Sequence, residues 1–362
     1  MAPDGSQQKI RNVATSLQDT YLPTTRYYGS KRRYVGWLRE KFDCLTFSSV
    51  LDAFGGTASV SLLLAQMGKK VTYHDSFAFN YFSANALLSS QESKLSRNDF
   101  ICILSSIREK RGFISRNFCG LYYTDKENSW LDGALSAIAK IGLTGIELDV
   151  FRYCLFQACL QKRPYNMFHR ANLAMRTSTD VHRSFGNTTT WERSFSELMI
   201  RAYDELFRAR ACAKSATAIM PPTRVMDIEQ GYDLVYLDPP YLRKKSPERY
   251  LNRYHFLEGL AKYDLWPKLV DRKNPCMSFK KGYLAEDWED SKKSESMIED
   301  VVIKHRRSIV ALSYMEGGIP SIRNLTRIFE GNFSRFEIHS TPACYALSKS
   351  TNTEVLIVGS PV

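Results

Sequence analysis

What this chain of 362 residues lacks narrows its function before any motif is read. No stretch reaches the roughly 18 consecutive apolar residues of a membrane-spanning helix. Residues 1–19 are polar, with no apolar segment to serve as a secretion signal. The eight cysteines are scattered without a C-x-x-C pair, and the six histidines are equally dispersed. Neither a disulfide framework nor a metal site is therefore expected, and the chain reads as a cytoplasmic protein of a reduced compartment. The dinucleotide spacing G-x-G-x-x-G is absent, which argues against a nicotinamide cofactor. Acidic side chains are in deficit: 38 Asp and Glu against 50 Lys and Arg leave a net charge of +12. A surplus of that size favours a polyanionic partner.

Of what is present, one stretch organises the rest. The apolar run Leu234-Val235-Tyr236-Leu237 reads as a buried strand, and it delivers Asp238-Pro239-Pro240-Tyr241 into a loop. Proline fixes φ at about −65° and has no N–H, so the loop is stiff and its carbonyls are free to accept. A carboxylate, a fixed carbonyl and a flat ring suit a planar amino group, such as that of a nucleobase. The same residues would also serve as a plain strand end with a capping Asp, so the neighbouring segments must decide.

Residues 1–20 read as a flexible leader. In Arg26-Tyr27-Tyr28-Gly29-Ser30-Lys31 the Gly-Ser pair permits a tight turn into a short amphipathic helix carrying Val35, Leu38 and Phe42. Lys31 falls just inside that helix start, where a cation opposes the helix dipole. Asp52-Ala53-Phe54-Gly55-Gly56-Thr57-Ala58 follows an apolar run and opens a helix with Val60, Leu63, Leu64 and Met67 on one face. The strand Lys70 to His74 then ends on Asp75. This is a βαβ unit with a glycine turn and an acid after its second strand, the pattern of a nucleoside cofactor site. Its last turn position is Ala58, where an alanine methyl disfavours φ > 0. Either the turn differs slightly or that position is not left-handed.

From Ala78 to Ala218 helical stretches follow one another: Phe79–Leu88, Asp99–Arg108, Trp130–Ile141, Ile146–Leu160 and Arg193–Lys214. Between the last two lies a polar segment rich in Arg, Asn and Thr, residue types that read phosphates and base edges. Arg163, Asn166, His169, Arg170, Asn172, Arg176, Arg183 and Asn187 are its candidate DNA contacts. Arg243, Lys244 and Lys245, just after the tetrapeptide, join them. With Lys162 and the cluster up to Arg253 these basic groups would neutralise about six phosphates, giving a log–log salt slope of roughly −5. Beyond the tetrapeptide, a helix from Tyr254 to Lys268, a strand at Cys276–Phe279, a helix near Ile298–Lys304, a strand Ser308–Tyr314, a helix Ile322–Phe329 and two last strands (Phe336–His339, Glu354–Val358) are expected.

In this order the pieces resemble the Dam-like N6-adenine-specific DNA methyltransferases. Arg26 to Lys31 resembles that family's N-terminal motif, and Asp52 to Ala58 its Asp-x-Phe-x-Gly-x-Gly turn. Asp75 falls where the family keeps its ribose-binding acid. Asp238 to Tyr241 is similar to the catalytic motif at all four positions, and Ser313-Tyr314 with Gly317-Gly318 resembles the late loop that walls the adenine pocket. The resemblance implies a Rossmann-like α/β sheet dependent on S-adenosylmethionine. It also implies a catalytic domain of residues 21–88 and 219–362, interrupted by a mostly helical target-recognition domain at 89–218. Asp238, Pro239, Pro240 and Tyr241 would be catalytic. Tyr27, Lys31, Asp52, Phe54, Gly55, Gly56, Asp75 and Asp238 would hold the cofactor. The substrate would be a flipped adenine in double-stranded DNA, with restriction or defence-system subunits as further partners. RNA or a protein glutamine as substrate, and an idle DNA-binding scaffold, are the alternatives.

Overall fold

The computed structural model describes residues 21–178, 188–242, 249–284, 287–343 and 352–361. The leader, Arg183, Asn187, Arg243, Lys244 and Lys245 lie outside them. An unbroken apolar tetrad needs cover on both faces, and the strand Leu234–Leu237 is buried throughout at the centre of a seven-stranded sheet. The strands are β1 (Ser49–Asp52), β2 (Lys70–Tyr73), β3 (Thr217–Ile219), β4 (Leu234–Leu237), β5 (Ile309–Met315), β6 (Arg335–Ala343) and β7 (Asn352–Ser360). Their order is β3-β2-β1-β4-β5-β7-β6, with the first five parallel and β7 antiparallel to both its neighbours. The expected α/β sheet is present.

Alternate residues serve opposite faces. Val50, Leu234, Tyr236 and Ala311 pack on α1 (Val35–Asp43) and α2 (Ser59–Gln66) through Leu38, Phe42, Leu63 and Leu64. Leu51, Val235, Leu237, Val310 and Leu312 pack on the other side against Ile298, Val301, Val302, Leu325 and Phe329. Those five side chains come from the later helices Ser294–Lys304 and Ile322–Asn332.

A third core is helical. It contains α3 (Ala78–Leu88), α4 (Arg97–Ser106), α5 (Phe113–Asn117), α6 (Asp125–Ile141) and α7 (Gly145–Gln161). After the short α8 (Ala174–Thr177) and α9 (Thr188–Glu192) comes α10 (Phe195–Ala211), which belongs to the same core. Local signals start these helices. Thr124 with Glu127, and Ser194 with Glu197, form reciprocal capping boxes at α6 and α10, and Gly142 ends α6 in the left-handed region. The helices α11 (Tyr250–Ala261) and α12 (Trp266–Leu269), which follow the tetrapeptide, fill the centre of this body. Phe256 stacks on Phe168 at 5.0 Å and meets Phe118 and Trp266 edge-on. Residues 89–218 therefore share one core with segments from both sides of them.

Two expectations are corrected, and one strand was not foreseen. The helix from Tyr254 breaks after Ala261, because Lys262 leaves helical dihedrals at φ −119°, ψ 45°. Cys276–Phe279 is no sheet strand: Met277 takes φ +53°, and only an isolated bridge joins Phe279 to Val270. Strand β3 was hidden because it is only three residues long and directly follows a helical pattern.

Candidate active site

In a parallel sheet the ligand crevice opens at the carboxyl ends of two neighbouring strands whose connections leave in opposite directions. Here those strands are β1 and β4, and they end on Asp52 and just before Asp238. A cleft of about 970 Å³, part of it open to solvent, lies there. Tyr27, Lys31, Asp52, Phe54, Gly55, Gly56, Asp75 and all of Asp238 to Tyr241 line it. These segments, up to 214 residues apart in sequence, thus meet at one place.

The glycine turn is fixed by close approach. The Gly55 N–H donates to the His74 carbonyl at 2.8 Å, and a Cβ on Gly55 would lie 2.1 Å from the Tyr73 ring. Tyr73 in turn donates its hydroxyl to the Gly56 carbonyl at 2.8 Å. Gly56 has φ +49°, and Ala58 is left-handed too, at φ 59° and ψ 19°. The turn therefore keeps its shape with an alanine in a backbone region that costs an L-residue about 1–2 kcal/mol. Asp75 braces the loop: its Oδ2 accepts from Gly56 N at 2.9 Å and its Oδ1 from Phe77 N at 2.8 Å. Tyr27 is held on the opposite wall by stacking on Tyr254, with centroids 4.3 Å apart and planes 5° from parallel.

The acids of the cleft share little positive charge. Asp52 is 1% exposed; its Oδ2 accepts from Ser61 Oγ at 2.7 Å, and its Oδ1 has no partner among the described residues. Burial pushes its carboxyl up to about 7, against the pull of the Ser61 hydrogen bond. Lys31 does not project toward solvent at a helix start. It begins a short 3-10 turn (Lys31–Tyr34), is 4% exposed, and places Nζ 2.9 Å from Asp238 Oδ1. Burial lifts Asp238 to about 7 although Lys31 pulls it down. Burial would lower Lys31, but Asp238 and then Glu354 outweigh it and hold its ammonium well above the ordinary value. Tyr241 lies with its ring centroid 5.5 Å from Lys31 Nζ and 5.6 Å from that of Tyr314, edge to face. The late loop closes this side, with Ile319 N donating to the Leu242 carbonyl at 2.9 Å and Tyr314 donating its hydroxyl to the Ile319 carbonyl.

Sequence reading missed Tyr250, Trp288 and Glu289, which also line the cleft. Trp288 meets Phe54 edge to face at 4.8 Å, and the Tyr250 N–H donates to Glu289. An isolated tryptophan in the charged connector Glu286 to Lys293 was the one available signal.

Several expected DNA contacts are not on the surface. Arg163 is 0% exposed: its guanidinium lies over the Tyr122 and Phe168 rings and donates to the carbonyls of Met167 and Arg170 at 2.8 and 2.9 Å. Arg176 donates both terminal nitrogens to Glu127, at 3.0 and 2.7 Å. Lys162 places Nζ 2.8 Å from the same carboxylate and is 2% exposed. Arg253 is buried against the Tyr28 and Tyr250 rings. Lys162, Arg163 and Arg176 are thus held beneath the segment by a carboxylate or by carbonyls, and Arg253 by aromatic rings. Arg170 is exposed, while His169 and Asn172 are half-buried on the same segment. Asn172 donates to the Pro164 carbonyl at 3.2 Å, and Asn166 lies in the turn Pro164–Asn166.

A mostly parallel sheet with a glycine turn after β1, an acid after β2 and Asp-Pro-Pro-Tyr after β4, all meeting in one cleft, is consistent with a methyltransferase α/β fold. The family model described as D12 class N6 adenine-specific DNA methyltransferase matches residues 27–267, well over half of the chain. The chain belongs to that family. It is also similar to the Type II methyltransferase M2.HphI of Haemophilus parahaemolyticus, with 22% identity over 359 residues that cover 94% of this chain and 99% of that protein.

Proposed function

We propose that this enzyme methylates adenine N6 at a specific site in duplex DNA, as the modification component of a restriction–modification system. The observation that carries the reading is the meeting of the glycine turn, Asp75 and Asp238 to Tyr241 in one cleft. S-adenosylmethionine fits the residues present. The orphaned Asp52 Oδ1 is a buried acceptor that suits the ammonium of its methionine part. The glycine turn leaves room for close approach, and Asp75 retains lone pairs for ribose hydroxyls. When bound, the cofactor supplies an electrophilic methyl group.

The protein's own part is positioning and electrostatics. The adenine amino group is a poor nucleophile because its lone pair is delocalised into the ring. Accepting its two hydrogens on the Asp238 carboxylate and the Pro239 carbonyl would localise that pair on nitrogen. Pro240 stiffens the loop, and Tyr241 offers its face to the base. The target must leave the stack first, at a cost of a few kcal/mol that phosphate contacts offset. With four expected cations buried, Arg170, Arg183 and the segment Arg243 to Lys245 are among the expected groups left for that task.

The test is transfer of labelled methyl from S-adenosylmethionine to duplex DNA, RNA and protein, with Asp238→Ala compared at equal stability. Labelling of adenine in DNA, lost in the variant, is expected. Undiminished transfer by Asp238→Ala would refute the assigned chemistry, and cofactor binding without methylation of any DNA pool would favour an idle scaffold.

A further inference from the structure

One buried carboxylate, held against the cleft residue Lys31, has no part in the reaction just described. Glu354 begins the run Glu354-Val355-Leu356-Ile357-Val358 on the inner strand β7, and it is 1% exposed. A charge at such a place is costly unless paired. Its Oε1 accepts from Lys31 Nζ at 2.7 Å and from Ser313 Oγ at 2.7 Å, while its Oε2 has no partner among the described residues. Lys31 therefore stands between two carboxylates, 2.7 Å from one and 2.9 Å from Asp238. The three groups carry a net charge of −1 when all are ionised. A single ammonium shared in this way satisfies neither acid fully.

Resting on the reaction proposed above, we propose that Glu354 is a positioning residue: by drawing off part of the Lys31 ammonium it leaves Asp238 able to accept first the hydrogen bond and then the proton of the adenine amino group. Alone with Lys31, Asp238 would be a tightly paired and weakly basic carboxylate. Sharing the cation restores its basicity. After methylation the nitrogen is cationic; an N–H bond breaks, its electron pair stays on nitrogen, and an O–H bond forms on Asp238. The proton then passes to solvent through the open cleft, and the ion pair is restored. Burial raises Asp238 to about 7, with Lys31 opposing and Glu354 reinforcing the rise, which agrees with such a role.

Other polar groups facing the cluster are Asp52 from β1, Tyr236 from β4, Ser313 from β5, Tyr241 from the tetrapeptide and Tyr250 from α11.

The experiment is the pH dependence of kcat for methyl transfer in the full-length enzyme and in Glu354→Gln, Glu354→Asp and Ser313→Ala. In the wild type, activity should rise with pH along a limb centred at about 7, as Asp238 ionises. In Glu354→Gln the whole of Lys31 falls to Asp238, so the limb should move down by roughly one pH unit or more. The plateau should drop roughly 10- to 100-fold with KM for DNA unchanged. Glu354→Asp should recover part of the rate, and Ser313→Ala, which leaves Glu354 Oε1 to Lys31 alone, should shift the limb upward by less. A limb that stays in place in a folded Glu354→Gln, or a rise in KM at unchanged kcat, would overturn the proposal. If Glu354→Gln does not fold, an unmoved limb in Ser313→Ala overturns it instead. A wild type that methylates no adenine would overturn the proposed reaction as well, whereas normal wild-type activity with unmoved variants overturns only the role of Glu354.

Discussion

Replacing Lys31 by Met keeps most of the side chain's length and deletes its charge. The ammonium lies 2.9 Å from Asp238 and 2.7 Å from Glu354, in surroundings where Lys31 and Glu354 are 4% and 1% exposed and Asp238 15%. Removing one member of a buried ion pair costs about 3–5 kcal/mol, because the remaining charge is stranded. Here two carboxylates would be stranded, and for Asp238 the relief is to take up a proton. Asp238 is already raised to about 7 from the ordinary 3.8, mainly by burial. A raised carboxyl gives stability that is complete below its unfolded pKa and is lost as pH climbs through its folded pKa. Without Lys31 the folded value of Asp238 rises further. While Asp238 must stay protonated in the fold, stability is lost at about 1.4 kcal/mol per pH unit. Urea unfolding of Lys31→Met should thus show stability falling more steeply than wild type between about pH 6 and pH 8, with the variant nearest to wild type at the acid end. The double variant Lys31→Met, Glu354→Gln should cost less than the sum of the two single changes. Parallel stability–pH curves for wild type and Lys31→Met would refute the buried triad.

Three further outcomes follow from the geometry. Gly55→Ala puts a methyl 2.1 Å from the Tyr73 ring, which is tied to the Gly56 carbonyl, so it should cost about 1–3 kcal/mol and weaken S-adenosylmethionine binding in calorimetry; an unaffected variant would contradict the close approach. Ala58→Gly relieves about 1–2 kcal/mol of left-handed strain, but it loses a buried methyl worth about 0.8 kcal/mol and adds about 0.4–1 kcal/mol of unfolded-chain entropy. These nearly cancel, so the unfolding free energy should stay within about 1 kcal/mol of wild type, and a larger loss would mean that the turn is not left-handed. Arg163→Met removes hydrogen bonds to the carbonyls of Met167 and Arg170 and should lower stability by about 3 kcal/mol or more. A variant as stable as wild type in thermal unfolding would return Arg163 to the list of surface cations.

The sequence by itself determined the chemistry that is written in short spans. The glycine turn, the acid closing β2 and the Asp-Pro-Pro-Tyr after an apolar strand are legible because each needs particular residues within a few positions, dictated by backbone approach and strand ends. Helix starts such as Thr124 with Glu127 are legible for the same reason. The tertiary structure alone decided which charges face water. Lys162, Arg163 and Arg176 look like phosphate-binding groups in a basic, polar segment, yet they serve Glu127 and backbone carbonyls beneath it. Glu354 looked like the polar start of a terminal strand, and its partner Lys31 lies 323 residues away. Ala58 was ambiguous because strain at one backbone position is set by the strands and helix it joins, not by its own identity. A side chain's formula fixes what it can bind; only the fold brings its partner within 3 Å and decides whether water stands between them.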